Sequence, residues 1–239
     1  MITVACVYKT GGDFDSAYVE RLARGVHANL NADHKFICLT DATKELSTCV
    51  GVDAVVPLQY DWPGWWAKME LFALPGSVLC FDLDTVLVDT IDDLGTWIQQ
   101  PRDSLLMLRD FYRGGYASGI LGWNGNLKWV LEAFIERCTD HTAWRIHSNA
   151  LSKVSDGGSQ FRGDQEWLKF FLSKQDRITV TLAQDVMSGI YSYKVHVRTP
   201  GSIPENSRVI CFHGRPRPHE LEDGSEVKNL WVHGRGVEE

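Results

Sequence analysis

Several features that mark particular classes of protein are missing from this 239-residue sequence. No apolar run approaches the roughly 18 residues that a membrane-spanning helix needs. The opening residues 1–8, MITVACVY, have the pattern of a strand and lack the charged start of a signal peptide. Basic residues are outnumbered by acidic ones, 24 to 31, which argues against a general nucleic-acid coat protein. We therefore expect a soluble, cytoplasmic protein without a membrane span.

Cysteine pairs of the C-x-x-C type are also missing, which excludes a zinc ribbon and a thioredoxin motif. Four cysteines, at positions 6, 38, 80 and 211, lie within short apolar stretches. We expect buried, reduced thiols on strands rather than disulfides. The sequence has no internal repeat and no Gly/Ser/Pro-rich linker. Residues 1–239 are therefore predicted to form one domain.

Short apolar runs alternate with amphipathic stretches along the chain. The periodicity predicts strands over residues 2–8, 36–39, 54–57, 78–81, 104–108, 117–123, 178–182, 191–197 and 208–212. It predicts helices over residues 15–30, 64–73, 91–99, 126–138 and 164–173. This alternation is typical of an α/β fold with a Rossmann-like, mixed but mostly parallel sheet flanked by helices. Residues 151–163 are predicted to form a mobile loop.

The strongest local signal is the pair Asp82 and Asp84, which follows the buried strand predicted over 78–81. Ligands bind at the carboxyl ends of strands in α/β sheets. Side chains two residues apart on an extended chain point to the same side, so both carboxylates can approach one cation. Carboxylate oxygens suit Mg²⁺ or Mn²⁺, which commonly bridge substrate phosphates. The alternative is a strand end with two solvated acids.

The segment 82–87, DLDTVL, resembles motifs of two families. In haloacid-dehalogenase-type phosphatases the first Asp is the nucleophile and the second is an acid/base. In nucleotide-sugar glycosyltransferases of the GT-A fold, both acids of the D-x-D motif serve the metal. The phosphatase motif usually lies on the first strand, whereas about 80 residues of strand and helix pattern precede Asp82. Residues 163–166, GDQE, do not supply the phosphatase's second acidic pair well, so the glycosyltransferase resemblance is favoured.

Further segments, in the family's order, resemble the retaining GT-A group that includes glycogenin and lipopolysaccharide galactosyltransferases, or a bacterial or phage relative of it. They are residues 7–10 (VYKT), 65–72 (WWAKMELF), 116–124 (YASGILGWN) and 163–165 (GDQ). The resemblance implies that Tyr8 and Lys9 lie where the family holds the nucleotide base. It also implies that Lys68 is the basic, donor-binding residue of the helix before the D-x-D strand.

The later segments concern the sugar. The resemblance places Ser118 and Gly119 along the donor sugar, and Asp164 and Gln165 beside the anomeric carbon. It implies retention of anomeric configuration, since Gln165 is a poor nucleophile but can stabilise positive charge at that carbon. Asp164 would orient the sugar hydroxyls or the acceptor. An inverting reaction would instead need a carboxylate base near the acceptor. Asp110 and Asp164 are both candidates for that base.

The segment 212–218, FHGRPRP, resembles the His-Gly-basic-Pro end of the family's catalytic domain. The resemblance implies that His213 completes the metal site of the acidic pair, which would hold Mn²⁺ or Mg²⁺. It assigns the diphosphate to the backbone at Gly214 and to the side chain of Arg215 or Arg217. Arginine suits that role because its guanidinium group binds phosphate oxygens bidentately.

These motifs together predict a metal-dependent glycosyltransferase that moves a sugar from a nucleotide sugar, a UDP-sugar by preference, to an acceptor. The nucleotide-binding part is expected over residues 1–90 and the acceptor side over 91–220. Residues 221–239 form a tail that matches no motif.

The identity of the acceptor stays open at this point: it is a saccharide, a lipid-linked sugar, a protein or a hydroxymethylated base in phage DNA. A DNA acceptor would require a basic groove near Arg109, Arg113, Arg145 and Arg162, with activity that falls steeply with salt. Two other classes are alternatives to the transferase. One is the phosphatase with Asp82 as nucleophile, and the other is a non-catalytic sugar-binding module that needs no metal.

Overall fold

The computed structural model describes residues 1–139, 144–147, 150–153 and 161–234. The strands in this part of the chain are β1 (Ile2–Tyr8), β2 (His34–Thr40), β3 (Ala54–Pro57), β4 (Gly76–Phe81), β5 (Val86–Leu87), β6 (Ser104–Arg109), β7 (Tyr116–Gly125), β8 (Trp144–His147), β9 (Ala150–Lys153), β10 (Thr179–Leu182), β11 (Ile190–Ser192) and β12 (Val209–Cys211). The α-helices are α1 (Ser16–Asn29), α2 (Thr43–Leu46), α3 (Asp92–Gln99), α4 (Lys128–Thr139), α5 (Asp164–Leu172), α6 (Ala183–Val186) and α7 (Glu226–His233). Other helical segments are a 3-10 helix (Gly64–Ala73), a π-helical turn (Tyr193–Val197) and a short 3-10 turn (Pro218–Glu220). Most of the loop predicted over 151–163 lies outside the described residues, as do the last five residues of the tail.

The central sheet has seven strands in the order β10-β6-β7-β4-β1-β2-β3. The pairs β1/β2, β1/β4, β2/β3 and β6/β10 are parallel, whereas β7 runs antiparallel to both β4 and β6. This arrangement confirms the predicted α/β fold with a mixed, mostly parallel sheet. A smaller sheet has the order β11-β12-β5, and β8 pairs with β9.

Apolar side chains cover both faces of the central sheet. On one face, α1 contributes Tyr18, Leu22 and Val26, the helical spacing expected of one buried stripe, and α3 and α7 pack into the same cluster. On the other face, the 3-10 helix, α4 and α5 bury large aromatic residues against each other, among them Trp66 and Phe134. Parallel strands that are covered on both sides read as continuous apolar runs, as β1 and β4 do.

The strand order brings two functional segments together. Strands β1 and β4 are parallel neighbours, so the loops after Tyr8 and Phe81 leave the sheet at the same edge. Strand β7 pairs with β4 on its other side, and the backbone N–H of Asp82 donates to the carbonyl of Gly119 (3.0 Å). The acidic pair therefore lies between the first loop of the chain and the middle of β7.

One predicted strand is wrong over most of its length. Residues 191–197 were expected to be extended, but β11 ends at Ser192 and Tyr193–Val197 form the π-helical turn. The Ser192 hydroxyl accepts a hydrogen bond from the backbone N–H of Val195 (3.3 Å), which caps the turn and stops the strand.

Four of the six cysteines are buried on strands, and the tail adds a helix to the core. All six cysteines are free, and those at positions 6, 38, 80 and 211 are buried on strands, as expected. Helix α7 lies in the tail and packs Val227 and Trp231 against the core. In the described part of the chain, no helix combines the length and apolarity required to cross a bilayer.

Candidate active site

A cleft of about 780 Å³ opens at the sheet edge where β1 and β4 end. This volume lies within the range of roughly 300–1,000 Å³ that is typical of small-molecule sites. The charged side chains that line it are Lys9, Asp13, Asp41, Asp61, Lys68, Asp82, Asp84 and Arg217. The sequence predicted five of these eight as donor or metal ligands, namely Lys9, Lys68, Asp82, Asp84 and Arg217.

Lys68 lies at the centre of the charged cluster. Its ammonium group donates to Asp82 Oδ1 (2.9 Å) and to Ser118 Oγ (3.0 Å), and its Nζ lies 3.1 Å from Asp164 Oδ2. Burial alone would lower the pKa of Lys68, but the charges of Asp164 and Asp82 outweigh it and raise the pKa above its ordinary value. Lys68 thus joins β4, β7 and α5 around a permanent positive charge.

The acidic pair occupies the turn between β4 and β5. Asp84 is 4% exposed, and its carboxylate forms an ion pair with the guanidinium of Arg217. Burial and the neighbouring charge of Asp82 raise the pKa of Asp84 to about 7, while Arg217 opposes the shift. Each of the two neighbouring carboxylates along this wall of the cleft is therefore paired with its own cation.

The segment after β12 faces the loop after β1. Arg215 lies 3.0 Å from Asp13, and Arg217 Nε lies 3.5 Å from the same carboxylate. Arg217 also stacks over the ring of Phe14, with 4.8 Å between its guanidinium carbon and the ring centroid. Gly214 has a φ of 63°, a conformation that glycine adopts without strain.

His213 lies at the end of β12, beside the acidic pair but outside the walls of the cleft. Its Nε2 is 3.1 Å from Ser192 Oγ, and the ring packs against Phe111 at 5.2 Å between centroids. Burial lowers the pKa of His213, although the charge of Asp82 acts in the opposite direction. The imidazole is therefore held largely neutral, the form that binds a metal ion.

The predicted metal ligands fit a divalent cation by their chemistry, because two carboxylates and a neutral imidazole are ordinary ligands of Mn²⁺. Their side chains are not gathered into one site in this arrangement. Within the described residues, no group of three His, Cys, Asp or Glu side chains is arranged to hold a metal ion. Asp82 is paired with Lys68 and Asp84 with Arg217.

The two residues that open α5 have different partners. Asp164 is buried against Lys68, whereas Gln165 Nε2 donates to Asp110 Oδ2 (3.1 Å). Lys169 Nζ donates to the same carboxylate oxygen at 3.1 Å. Burial would raise the pKa of Asp110, but the backbone N–H groups of its own loop and Lys169 hold that pKa below its ordinary value. Asp110 is therefore a fixed, ionised acceptor for the Gln165 amide.

The remaining predicted donor-binding residues lie around the first loop and on β7. Lys9 Nζ contacts Asp41 (2.9 Å) and Asp61 (2.7 Å) at the mouth of the cleft. Tyr8 packs in the core, and its hydroxyl donates to Glu45 (3.4 Å). A methyl group on Gly119 would lie 3.4 Å from Asp82 Oδ2 and 3.2 Å from Leu108, so this backbone closely approaches the acidic pair.

Several residues at the site were not predicted from the sequence. Asp13, Asp41 and Asp61 are isolated acids in loops, and no motif distinguishes them from solvated charges. Lys194 lies on the π-helical turn, where its Nζ would be 3.8 Å from a methyl group on Gly214. Trp65 did carry a signal, because it is one of two adjacent tryptophans and neighbouring helical positions point apart, so at least one of the pair was expected to pack in the core. Trp66 is the buried one.

Comparisons with known proteins bear on the fold. No model of a known protein family matches the chain, and no curated protein matches it. Among solved structures, the glycosyltransferase GlyE of Streptococcus pneumoniae TIGR4 is 15% identical with a TM-score of 0.58, over 97% of this chain and 60% of GlyE. The apo form of GlyE gives 16% identity and a TM-score of 0.55, over 96% of this chain and 58% of GlyE.

The galactosyltransferase LgtC, solved with donor and acceptor sugar analogs, also matches. It is 14% identical with a TM-score of 0.58, over 99% of this chain and 98% of LgtC. The chain thus spans about three fifths of the length of GlyE and nearly all of LgtC. At these identities the likeness concerns the fold, and the chain has the GT-A-type α/β fold of the glycosyltransferases GlyE and LgtC.

Proposed function

We propose that this chain is a glycosyltransferase that uses a nucleotide sugar, with a UDP-sugar as donor and retention of anomeric configuration. The observation that carries the proposal is the cleft itself. In a glycosyltransferase fold, the cleft at the carboxyl ends of β1 and β4 contains the Asp82–Asp84 pair, with Lys68 paired to Asp82 and Arg217 paired to Asp84. Two cations held in this way suit a diphosphate, whose oxygens can replace the carboxylates as partners of Lys68 and Arg217.

The proposed diphosphate site has three parts. Lys68 donates to phosphate oxygens, the backbone at Gly214 approaches them closely, and Arg215 and Arg217 bind them through their guanidinium groups. Asp82, Asp84 and His213 would hold Mn²⁺ or Mg²⁺. When bound, such an ion neutralises charge on the departing diphosphate as a Lewis acid.

The base and the donor sugar are assigned to opposite sides of the acidic pair. Lys9 lies at the mouth of the cleft, and Tyr8 supports the loop from the core, so we assign the base to this end. Ser118 and Gly119 border Asp82 on β7 and are assigned to the sugar.

Retention is assigned to the residues that open α5. Gln165 donates its Nε2 to Asp110, which fixes the side-chain amide, and we assign its carbonyl oxygen to the positive charge that develops at the anomeric carbon. In the transfer, the bond from the anomeric carbon to the phosphate oxygen breaks and a bond to an acceptor hydroxyl oxygen forms. The hydroxyl proton passes to the departing phosphate. Asp164, which Lys68 holds in place, orients the sugar hydroxyls.

A DNA acceptor is not favoured by the charges near the site. Of the four arginines expected to form a basic groove, Arg109 pairs with Asp185 and Arg162 with Glu166. The side chain of Arg145 lies outside the described residues. Neutralised guanidinium groups contribute little to the counterion release that DNA binding requires.

The experiment that tests the proposal is thermal unfolding with UDP, GDP, CDP and ADP, each with Mn²⁺ or with EDTA. A ligand at 100 times its dissociation constant adds about 2.7 kcal/mol to stability. At roughly 2–4 °C per kcal/mol for a chain of this size, the midpoint should rise by about 5–11 °C with UDP and Mn²⁺. Asp84→Asn should abolish the shift, whereas Asp223→Asn, which alters an exposed acid paired with Lys228, should retain it.

Two results would contradict the proposal. One is the lack of a shift with every nucleotide, with or without Mn²⁺. The other is hydrolysis of an aryl phosphate without any nucleotide, with phosphate trapped on Asp82, which would favour the phosphatase.

A further inference from the structure

Trp65 has an unusual position for a large aromatic residue. It lies on the 3-10 helix three residues before Lys68, and side chains at i and i+3 of a 3-10 helix are eclipsed. Trp65 therefore shares the cleft-facing side of the helix with Lys68, while Trp66 is fully buried. The Trp65 residue remains 43% exposed. An aromatic side chain exposed inside a polar cleft is available to a ligand.

The orientation of the Trp65 ring is fixed by the backbone that leads into α5. The indole N–H donates to the carbonyl of Arg162 (3.0 Å). A methyl group on Gly163 would lie only 2.7 Å from the indole nitrogen, so glycine is required for the ring to pack this closely. One edge of the indole is thereby held against residues 162–163, directly before Asp164. The ring is a rigid surface beside the start of α5.

We propose that Trp65 is the stacking platform of an acceptor subsite and that the acceptor is a neutral saccharide; this inference rests on the proposed function. Aromatic faces pack against the apolar C–H face of a sugar ring, and a fixed ring does so with little loss of conformational entropy. An acceptor hydroxyl must reach the reacting carbon, which we assign beside Asp164 and Gln165. Trp65 borders that position through Gly163.

The charges around the cleft favour a neutral acceptor over an anionic one. Asp13, Asp41 and Asp61 lie along the walls, and the chain has a formal net charge of −7. A net negative charge disfavours a nucleic acid or another polyanion, which would also add its charge to that of the donor diphosphate. Sugar hydroxyls carry no charge and can donate hydrogen bonds to carboxylates of the cleft.

The test is saturation-transfer NMR with glucose, galactose, N-acetylglucosamine, lactose and maltose, recorded with and without UDP and Mn²⁺. At least one sugar is expected to bind the wild-type chain, and Trp65→Ala should weaken it about tenfold, the loss expected for one aromatic contact. Trp65→Phe should retain part of the affinity. Phe170→Ala serves as the matched control, because Phe170 is an exposed aromatic residue that does not line the cleft.

The thermal shift with UDP is measured on the same variants, so that a loss of sugar binding can be distinguished from a loss of nucleotide binding. An unchanged UDP shift in Trp65→Ala, together with weakened sugar binding, supports the acceptor subsite. If sugars bind through Trp65 but no nucleotide binds, Trp65 is a sugar-binding platform, and both its acceptor role and the transferase proposal are overturned. The subsite is overturned if none of the sugars binds in either state, if Trp65→Ala binds them as tightly as wild type, or if Trp65→Ala loses UDP instead.

Discussion

Replacement of Lys68 by methionine tests whether the charged centre of the cleft is also a structural centre. Methionine keeps the length of the apolar stem but removes the ammonium group. Asp164 would then be buried without its cation, and Asp82 would lose a hydrogen bond of 2.9 Å. Removal of one partner of a buried ion pair costs about 3–5 kcal/mol, because the remaining charge lacks compensation. Asp82 is partly exposed to solvent, so we expect the lower limit, about 3 kcal/mol.

The assay is thermal unfolding followed by circular dichroism at neutral pH. A loss of about 3 kcal/mol lowers the midpoint by roughly 6–12 °C in a domain of this size. The matched control is Lys128→Met, which removes a lysine from an exposed pair with Glu132 (3.5 Å) and should cost less than about 0.5 kcal/mol. Addition of Asp164→Asn to Lys68→Met should restore part of the loss, because the buried charge is then gone.

The difference in stability between wild type and Lys68→Met depends on pH, and its sign follows from the pKa of Lys68. The folded pKa of Lys68 is raised, so its contribution is fully present below the ordinary lysine pKa of about 10.4 and is lost as the pH rises through the higher folded value. Wild type and Lys68→Met should therefore differ by a constant amount only above the titration range of Asp84, whose pKa of about 7 Lys68 helps to lower, and should converge at more alkaline pH. A midpoint for Lys68→Met as high as that of Lys128→Met would refute the reasoning.

Further predictions concern acid stability, packing and catalysis. Burial would raise the pKa of Asp41, but its hydrogen bonds lower it to about 2, so Asp41→Asn should destabilise the chain at pH 6 yet match wild type in acid titrations that approach pH 2. Gly163→Ala should displace Trp65 and cost about 1–3 kcal/mol in urea unfolding; unchanged stability and tryptophan fluorescence would show that the contact is looser than 2.7 Å. Asp110→Ala should release the Gln165 amide and lower kcat at least tenfold while the dissociation constant of UDP stays constant; an equal change in both would contradict a positioning role.

Much of the fold was predictable because its signals are local. Continuous apolar runs mark β1 and β4, and the spacing of Tyr18, Leu22 and Val26 marks the buried face of α1. The 3-10 helix has the bounds expected of a helix at 64–73, since Pro63 and Leu74 flank it with extended backbone. The type of helix was not predictable, because the apolar pattern of so short a segment fits the 3.0-residue period of a 3-10 helix as well as the 3.6-residue period of an α-helix.

The errors arise where side chains override the pattern. Residues 191–197 alternate as a strand should, but the Ser192 hydroxyl caps a helical turn instead. Helix α7 was missed, although Val227 and Trp231 are four residues apart and form a buried pair on one face. Short elements such as β5 carry too few residues for any period to be read.

In the site, too, the local features were predictable and the tertiary contacts were not. The acidic pair and Lys68, which the motifs singled out, lie next to each other in the cleft. The hydrogen bond from Gln165 to Asp110 joins residues 55 positions apart, and no spacing rule could predict it. The contact of Trp65 with Arg162 and Gly163 depends likewise on how α5 packs beside the 3-10 helix. Local motifs identify candidates, but tertiary packing determines which of them meet.

The most direct test of the central claim is a crystal structure with UDP and Mn²⁺, recorded near the manganese absorption edge. We predict an anomalous peak bound by Asp82, Asp84 and His213, with the diphosphate on Lys68 and Arg217 in place of their present carboxylate partners. A nucleotide bound elsewhere, or a manganese ion that does not contact the acidic pair, would contradict the account.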